Sequence, residues 1–214
     1  MTTNVWSNVS IAVQSALATA ITISSISKAN PGVVTYTGTD PSNGDYVILD
    51  VWGMYQMDET IVRVANVNAG ANTFECEGFD TSSYDTFSSG TGQVITFGTT
   101  LSIVRGLQGS GGDFQEIDDT TVHDQVRVVI PGVANPISYN LECRWDPSDT
   151  GLIALVAASR AKAKRAIKVT FPSGAKMLTY GYIGATGLAT GNAQDIVTTP
   201  VEIKAGAKAT NYSS

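Results

Sequence analysis

Residues 137–145 alternate without a break. Ile137, Tyr139, Leu141, Cys143 and Trp145 point one way, and Ser138, Asn140, Glu142 and Arg144 the other. A period of two with one apolar side is a β-strand that buries one face. Such a strand needs hydrogen-bonding neighbours on both edges and a cover for its apolar face. The rest of the chain supplies them. Residues 33–37, 45–51, 60–67 and 73–77 are rich in β-branched and aromatic residues. The turns Asp40-Pro41-Ser42-Asn43-Gly44 and Asn68-Ala69-Gly70-Ala71-Asn72 separate them. This stretch, 31–97, reads as a small β-barrel or sandwich bounded by Asn30-Pro31-Gly32 and by a Ser/Gly loop or linker at 88–92.

Further along, 126–130 is a strand stopped by Pro131-Gly132, which predicts a hairpin with 137–145. One helix follows. Asp146 is the expected cap, Pro147 suits the first helical position, and Asp149 sits where a capping-box acid belongs. Leu152, Leu155, Val156 and Ala163 form its apolar stripe. Arg160, Lys162, Lys164 and Arg165 gather at its end, where cations meet the negative end of the helix dipole. That cluster reads equally as a solvated helix end or as an interface with an acidic neighbour. Ile167, Val169 and Phe171 alternate into the turn Pro172-Ser173-Gly174, and 177–183 returns as the partner strand. A last strand covers 196–204, with Pro200 predicting an edge or bulged strand. Residues 206–214 read as an exposed tail. At the start, Val5, Val9, Ala12, Val13, Ala16 and Leu17 fit a helical stripe, while Ile21, Ile23 and Ser25 fit a strand.

Charge excludes several functions. The 214 residues hold 13 Lys and Arg against 19 Asp and Glu, net −6, which disfavours a grip on nucleic-acid phosphates. Residues 31–97 hold nine acids and one base, net −8, while 148–171 hold five bases and one acid, net +4. One histidine and two cysteines leave little for a zinc site. Cys76 and Cys143 make one possible bridge but read as reduced, buried thiols. Residues 1–10 carry no basic residue, and Gln14, Ser15 and Thr19 break the apolar stretch that follows, so no export signal is expected. No apolar run is long enough for a transmembrane helix.

No catalytic motif survives inspection. His123 lacks a nucleophile in a Gly-x-Ser-x-Gly elbow and reads as a surface or interface histidine. Gly109-Ser110-Gly111-Gly112-Asp113 lacks the Gly-Lys-Ser/Thr ending of a phosphate cradle and reads as a connector. Asp113, Glu116, Asp118, Asp119 and Asp124 do not match a calcium-loop spacing and read as a solvated loop. No cofactor or metal is expected.

An ordered series of motifs carries a resemblance. Asp113-Phe114-Gln115-Glu116-Ile117-Asp118-Asp119-Thr120-Thr121-Val122-His123-Asp124 leads into Val129-Ile130-Pro131-Gly132-Val133. Tyr139-Asn140-Leu141 and Trp145-Asp146-Pro147 follow. Beyond the helix come Ala166-Ile167-Lys168-Val169-Thr170-Phe171-Pro172-Ser173-Gly174, Tyr180-Gly181-Tyr182-Ile183-Gly184, and Ile196-Val197-Thr198-Thr199-Pro200-Val201-Glu202-Ile203. Over roughly 98–206 and the N-terminal segment, this resembles the major tail tube proteins of long-tailed bacteriophages. The resemblance implies a mainly β fold of two packed antiparallel sheets, a β-sandwich or half-barrel, with one flanking helix at 147–164. Residues 1–30 and 98–206 would form this tube domain, 31–97 an inserted small β-barrel-like domain on the outer surface, and 207–214 a flexible tail.

The implied role is structural, in the virion tail, with assembly in the bacterial host cytoplasm. Hexameric rings would stack around a lumen that conducts DNA without specific binding. Implied partners are the chain itself and the tape measure, distal tail and terminator proteins, with no membrane insertion. A long inter-subunit loop, 108–125, would reach neighbours through Asp113, Phe114, Glu116, Asp118, Asp119 and His123. Arg160, Lys162, Lys164 and Arg165 would form a helix-end interface. An acidic lumen wall would repel phosphates; the same acidity also serves solubility. Two other classes compete: a non-polymerising β-rich module binding carbohydrate through Trp6, Trp52 and Tyr84, and a small hydrolase with undetected carboxylates.

Overall fold

A computed structural model describes residues 6–213. Fifteen strands and one α-helix follow in order: β1 (Ser10–Leu17), β2 (Ile21–Ile26), β3 (Val33–Thr37), β4 (Tyr46–Trp52), β5 (Ile61–Asn68), β6 (Thr73–Cys76), β7 (Ser89–Thr100), β8 (Val104–Ser110), β9 (Phe114–Asp118), β10 (Val129–Ala134), β11 (Ile137–Arg144), α1 (Thr150–Arg160), β12 (Lys164–Thr170), β13 (Lys176–Ala185), β14 (Thr198–Ala205) and β15 (Thr210–Tyr212). A single 3₁₀ turn, Tyr55–Met57, follows β4.

Six strands close a barrel in the order β2-β3-β6-β5-β4-β7, with β2 pairing back onto β7. Closure removes the free edges that a small sheet would otherwise expose. Its interior is apolar: Val34, Val47, Leu49, Met54, Met57, Val62, Phe74 and Cys76 are buried together. The barrel extends beyond 31–97. Ile21–Ile26 supplies a stave, with Thr22 opposite both Thr37 and Thr91. The Ser/Gly segment read as a linker begins the 12-residue strand β7. The first half of β7 belongs to the barrel, and its second half pairs with β1. The N-terminal stripe is therefore a strand; Val5 lies outside the described residues.

From β7 one antiparallel sheet continues as β1-β12-β13-β14-β11-β8. The expected mainly β fold with one helix is what forms, and the sandwich only in part, because a single sheet supplies the packing faces. The sheet bends until residues near its two ends share one core: Ile11 and Val13 of β1, Leu141 and Cys143 of β11, and Leu152, Leu155 and Ala158 of α1. The helix plugs the bend and lies against β13, β7 and β1. Asp149, not Asp146, caps it, accepting a hydrogen bond from the Leu152 amide at 2.9 Å. Asp146 instead turns the chain ahead of the helix, accepting from the amide and hydroxyl of Ser148. Asp149 also accepts from the Ser102 hydroxyl at 2.7 Å, tying the helix start to the β7–β8 connection. Gly151 permits that closeness, since a Cβ there would sit 2.8 Å from the Leu101 Cα.

Leu141 is buried at 1% exposure while Glu142 faces solvent, as the alternation predicts. Trp145, expected on the buried face, is 39% exposed, its indole donating to the Gly187 carbonyl at 3.0 Å. The strand carrying Pro200 lies inside the sheet, between β13 and β11. Pro200 is tolerated because pairing with β13 ends one residue earlier, at Ala185 opposite Val201. Nor is the C-terminal segment a free tail. β15 pairs with β13, and Tyr212 is only 8% exposed. Both cysteines are free and buried, Cys76 in the barrel core and Cys143 in the core under the helix.

Candidate assembly surfaces

The barrel is bolted to the sheet. Tyr46, Ile48 and Ile61 from the barrel's outer wall bury against Ile95, Ala166, Leu178 and Tyr212. Around this patch, Glu59 pairs with Lys164 and Arg63 with Glu77. The Arg63 guanidinium lies 4.5 Å from the centre of the Tyr212 ring, and the Arg63 amide donates to the Tyr212 hydroxyl at 2.7 Å. Lys168 sits over the Phe97 ring at 4.7 Å, and burial holds its ammonium below the usual lysine range. One member of the basic cluster therefore meets an acid of its own chain.

The other members separate. Arg160 ends α1, and Lys162 follows in a left-handed conformation (φ 50°). Lys164 and Arg165 lie on β12, where Arg165 donates to the Lys164 carbonyl at 3.0 Å. Arg160 and Lys162 are exposed and make no ion pair among the described residues. The four do not form one helix-end patch.

The expected long loop 108–125 is one arm and the tip of a strand ribbon. β8 runs through Gly111-Gly112 into β9, and β10 runs through Asn135-Pro136 into β11, so the two pairs form one long kinked hairpin. The predicted hairpin of 126–130 with 137–145 is not formed; β10 pairs with β9, and β11 lies between β8 and β14. At the kink, Gly112 donates to the Asn135 carbonyl and Asn135 to the Asp113 carbonyl, at 3.1 and 2.7 Å. Gly111 has φ +86°, and a Cβ there would lie 2.1 Å from the Pro136 oxygen. Only glycine turns the strand here without a clash.

Beyond the kink almost nothing is covered. Every residue of β9 is exposed, so Asp113, Phe114, Glu116, Asp118, Asp119 and His123 all lie on the ribbon's open surface. Glu116 and Asp118 share one face with Arg127, which pairs with both at 3.5 and 3.2 Å. Hydrogen bonds from Thr120, and after them Arg127, hold the Asp118 carboxyl below the usual range. At the tip, Asp124 accepts from the Thr121 amide and hydroxyl at 2.8 and 2.9 Å. These acids stabilise turns and pair with Arg127. Among the described residues no three metal-ligating side chains converge. Ile117 and Ile130 lie opposite each other on the second face, 51% and 45% exposed. Val122, Val126 and Val133 are more exposed still. This apolar surface escaped the sequence reading, although the β-branched run at 126–130 signalled it.

A cleft of about 960 Å³ opens where barrel, ribbon root and β15 meet, lined by Tyr55, Gln56, Tyr84, Asn135 and Asn211 among others. The three aromatics considered for sugar binding do not gather there. Tyr84 lines the cleft, Trp6 meets the Phe171 ring at a tilt beside β1, and Trp52 stands exposed on the barrel wall. Trp52 and Tyr55 are each 64% exposed.

A mainly β body with a docked barrel and an unburied ribbon has the anatomy of a structural protein that completes itself in an assembly. Residues 53–214 match the phage tail tube protein family (TTP), and the chain belongs to that family. It is a structural protein of the bacteriophage tail, and its place is the virion tail. The match begins at residue 53, inside the barrel, so most of the acidic segment is part of the family region. No curated protein matches the chain.

Proposed function

We propose that this chain is the repeating subunit of the tail tube. Six copies form a ring, rings stack head to tail, and the genome passes through the lumen without specific binding. A head-to-tail contact propagates along one axis and builds a tube. The observation that carries this reading is the β9–β10 ribbon. A two-stranded ribbon is marginal in water by itself. Here it also leaves Phe114, Ile117, Ile130 and Val133 between 45% and 79% exposed. Packed on a neighbouring subunit or ring, the same residues would gain about 25 cal/mol for each Å² of apolar surface removed from water. The tape measure, distal tail and terminator proteins are the further partners of such a tube, and assembly takes place in the host cytoplasm.

The test uses the hydrogen bond at the ribbon's root. Removing residues 113–134 and joining Gly112 to Asn135 through a short Gly/Ser turn leaves the body sheet intact, because those two residues already pair at 3.1 Å. The shortened chain folds as a monomer by sedimentation and forms no tubes by negative-stain microscopy. Normal tubes from this variant refute the role given to the ribbon.

A further inference from the structure

Two exposed surfaces of the chain complement each other in both charge and apolarity. The first lies on the barrel. Trp52 and Tyr55 are each 64% exposed, on the last residue of β4 and on the turn that follows. Asp50 points outward two residues before Trp52, on the same side of the strand. Asp85 lies beside Tyr55, accepting from the Gln56 side-chain amide at 3.0 Å. Neither Asp50 nor Asp85 makes an ion pair among the described residues. The second surface is the solvent face of α1. Ile153, Ala157 and Arg160 fall on one stripe at helical spacing, all exposed, with Lys162 just beyond the helix end.

We propose that the aromatic-acidic wall of one copy's barrel docks on the exposed α1 face of a second copy, Trp52 and Tyr55 meeting Ile153 and the Arg160–Lys162 cations. Aromatic faces attract guanidinium and ammonium groups, and the flanking carboxylates reinforce that attraction. Charge complementarity argues for a second copy as the occupant. Residues 31–97 carry net −8 and residues 148–171 carry net +4 on the same chain. Arg160 and Lys162 are the cations of the basic cluster left exposed after Lys164 pairs with Glu59. The proposal rests on the tube reading and adds a contact distinct from the ribbon.

The experiment is a charge exchange between copies. One full-length variant carries Asp50→Lys and Asp85→Lys, the other Arg160→Glu and Lys162→Glu. All four positions are exposed, and circular dichroism with thermal melting establishes that each variant is folded. Alone, each variant presents like charges at the contact, and its critical concentration for assembly rises at least about tenfold, the equivalent of one interfacial ion pair lost. An equimolar mixture alternates the two variants around an even-numbered ring, restores opposite charges at every contact, and assembles like wild type. A single chain carrying all four substitutions does the same. Raising salt weakens wild-type assembly more than it weakens the ribbon contact. Two variants that assemble normally alone overturn the docking, and would assign the aromatic wall to another ligand such as a saccharide. A mixture that fails to rescue also overturns it. If wild type itself never assembles, the tube reading falls and the docking with it.

Discussion

Tyr212 tests whether the chain's last strand holds the barrel on the sheet. Its ring is 8% exposed, lies 6.3 Å from the Tyr46 ring, and carries the Arg63 guanidinium at 4.5 Å. Its hydroxyl accepts the Arg63 amide at 2.7 Å. Tyr212→Ala removes the ring, and truncating a buried aromatic to alanine costs about 3–5 kcal/mol. The three-residue strand that carries it pairs only with β13, so its surroundings can collapse and the lower figure, about 3 kcal/mol, applies. Tyr212→Phe keeps the packing and removes only the part-buried hydrogen bond from the Arg63 amide, at about 1 kcal/mol. For a chain of this size each kcal/mol moves Tm by about 2–4 °C, so the alanine variant should melt about 6–12 °C lower. Asn211→Ala, at an exposed neighbour, should stay within about 0.5 kcal/mol of wild type. Calorimetry of the three variants gives the comparison. If Tyr212→Ala melts with Asn211→Ala and wild type, the last strand does not secure the barrel, and the packing argument is wrong.

Leu141→Ala, at 1% exposure in the core under the helix, should cost about 2–5 kcal/mol in urea unfolding. Its neighbour Glu142→Ala breaks only an exposed 3.4 Å pair with Arg105, and should cost at most about 1 kcal/mol; equal losses would show that the strand faces were misassigned. Burial, aided by the hydrogen bond to Asp40, pushes the Tyr36 phenol up to about 12 from 10.0. A folded pKa above the unfolded one gives stability that is complete below pH 10.0 and is lost as pH rises toward about 12, so melting temperature should fall across that window and fall less in Tyr36→Phe. Replacing the exposed Asp80 and Asp85 with Asn should slow the electrophoretic migration of assembled tubes without raising DNA retention; added DNA retention would place the barrel at the lumen.

Local patterns were legible where neighbours in sequence decide the outcome. The alternation at 137–145, the Pro172-Ser173-Gly174 hairpin and the four acidic-segment strands all form, because side-chain periodicity and turn chemistry act over a few residues. The helix was legible, but its cap was misplaced by three residues. Asp146 and Asp149 have the same chemistry, and only the contact of Asp149 with Ser102, 47 positions away, selects it. Barrel closure was hidden for the same reason. The β2–β7 pairing joins residues about seventy positions apart, and nothing in Ser88-Ser89-Gly90 says that β4 and β2 wait on either side. Small residues there look like a linker locally and serve as close-packed barrel staves globally. The tail was misread because its short polar sequence says nothing of the open strand edge on β13 that receives it. At the ribbon, the charged residues were noticed and the apolar face was not. Both Ile117 and Ile130 lie in strands interrupted by acids or by proline, which masks the alternation.

The barrel's position and the sign of the lumen are linked by charge. The chain carries net −6, of which residues 31–97 carry −8, so everything else sums to +2. Residues 113–134, with five acids and Arg127, carry −4 of that remainder, which leaves +6 elsewhere, +5 on the body sheet and helix and +1 from Lys28 of the barrel. A barrel on the outer wall therefore takes its acidity away from the DNA path, and net subunit charge stops being an argument for a repelling lumen. Repulsion then depends on where individual body acids fall. Glu202 pairs with Lys204 at 2.6 Å and Glu142 with Arg105 at 3.4 Å, so both are partly neutralised in place. The ribbon is the remaining acidic element, with Asp119 and Asp124 exposed beyond the Arg127 pairs. An outer barrel and an acidic lumen are compatible only if those ribbons line the bore. A ribbon that instead lies between rings leaves a body of net positive charge to line the bore, and free passage of DNA then requires that its exposed cations, Arg160 and Lys162 among them, face away from the lumen.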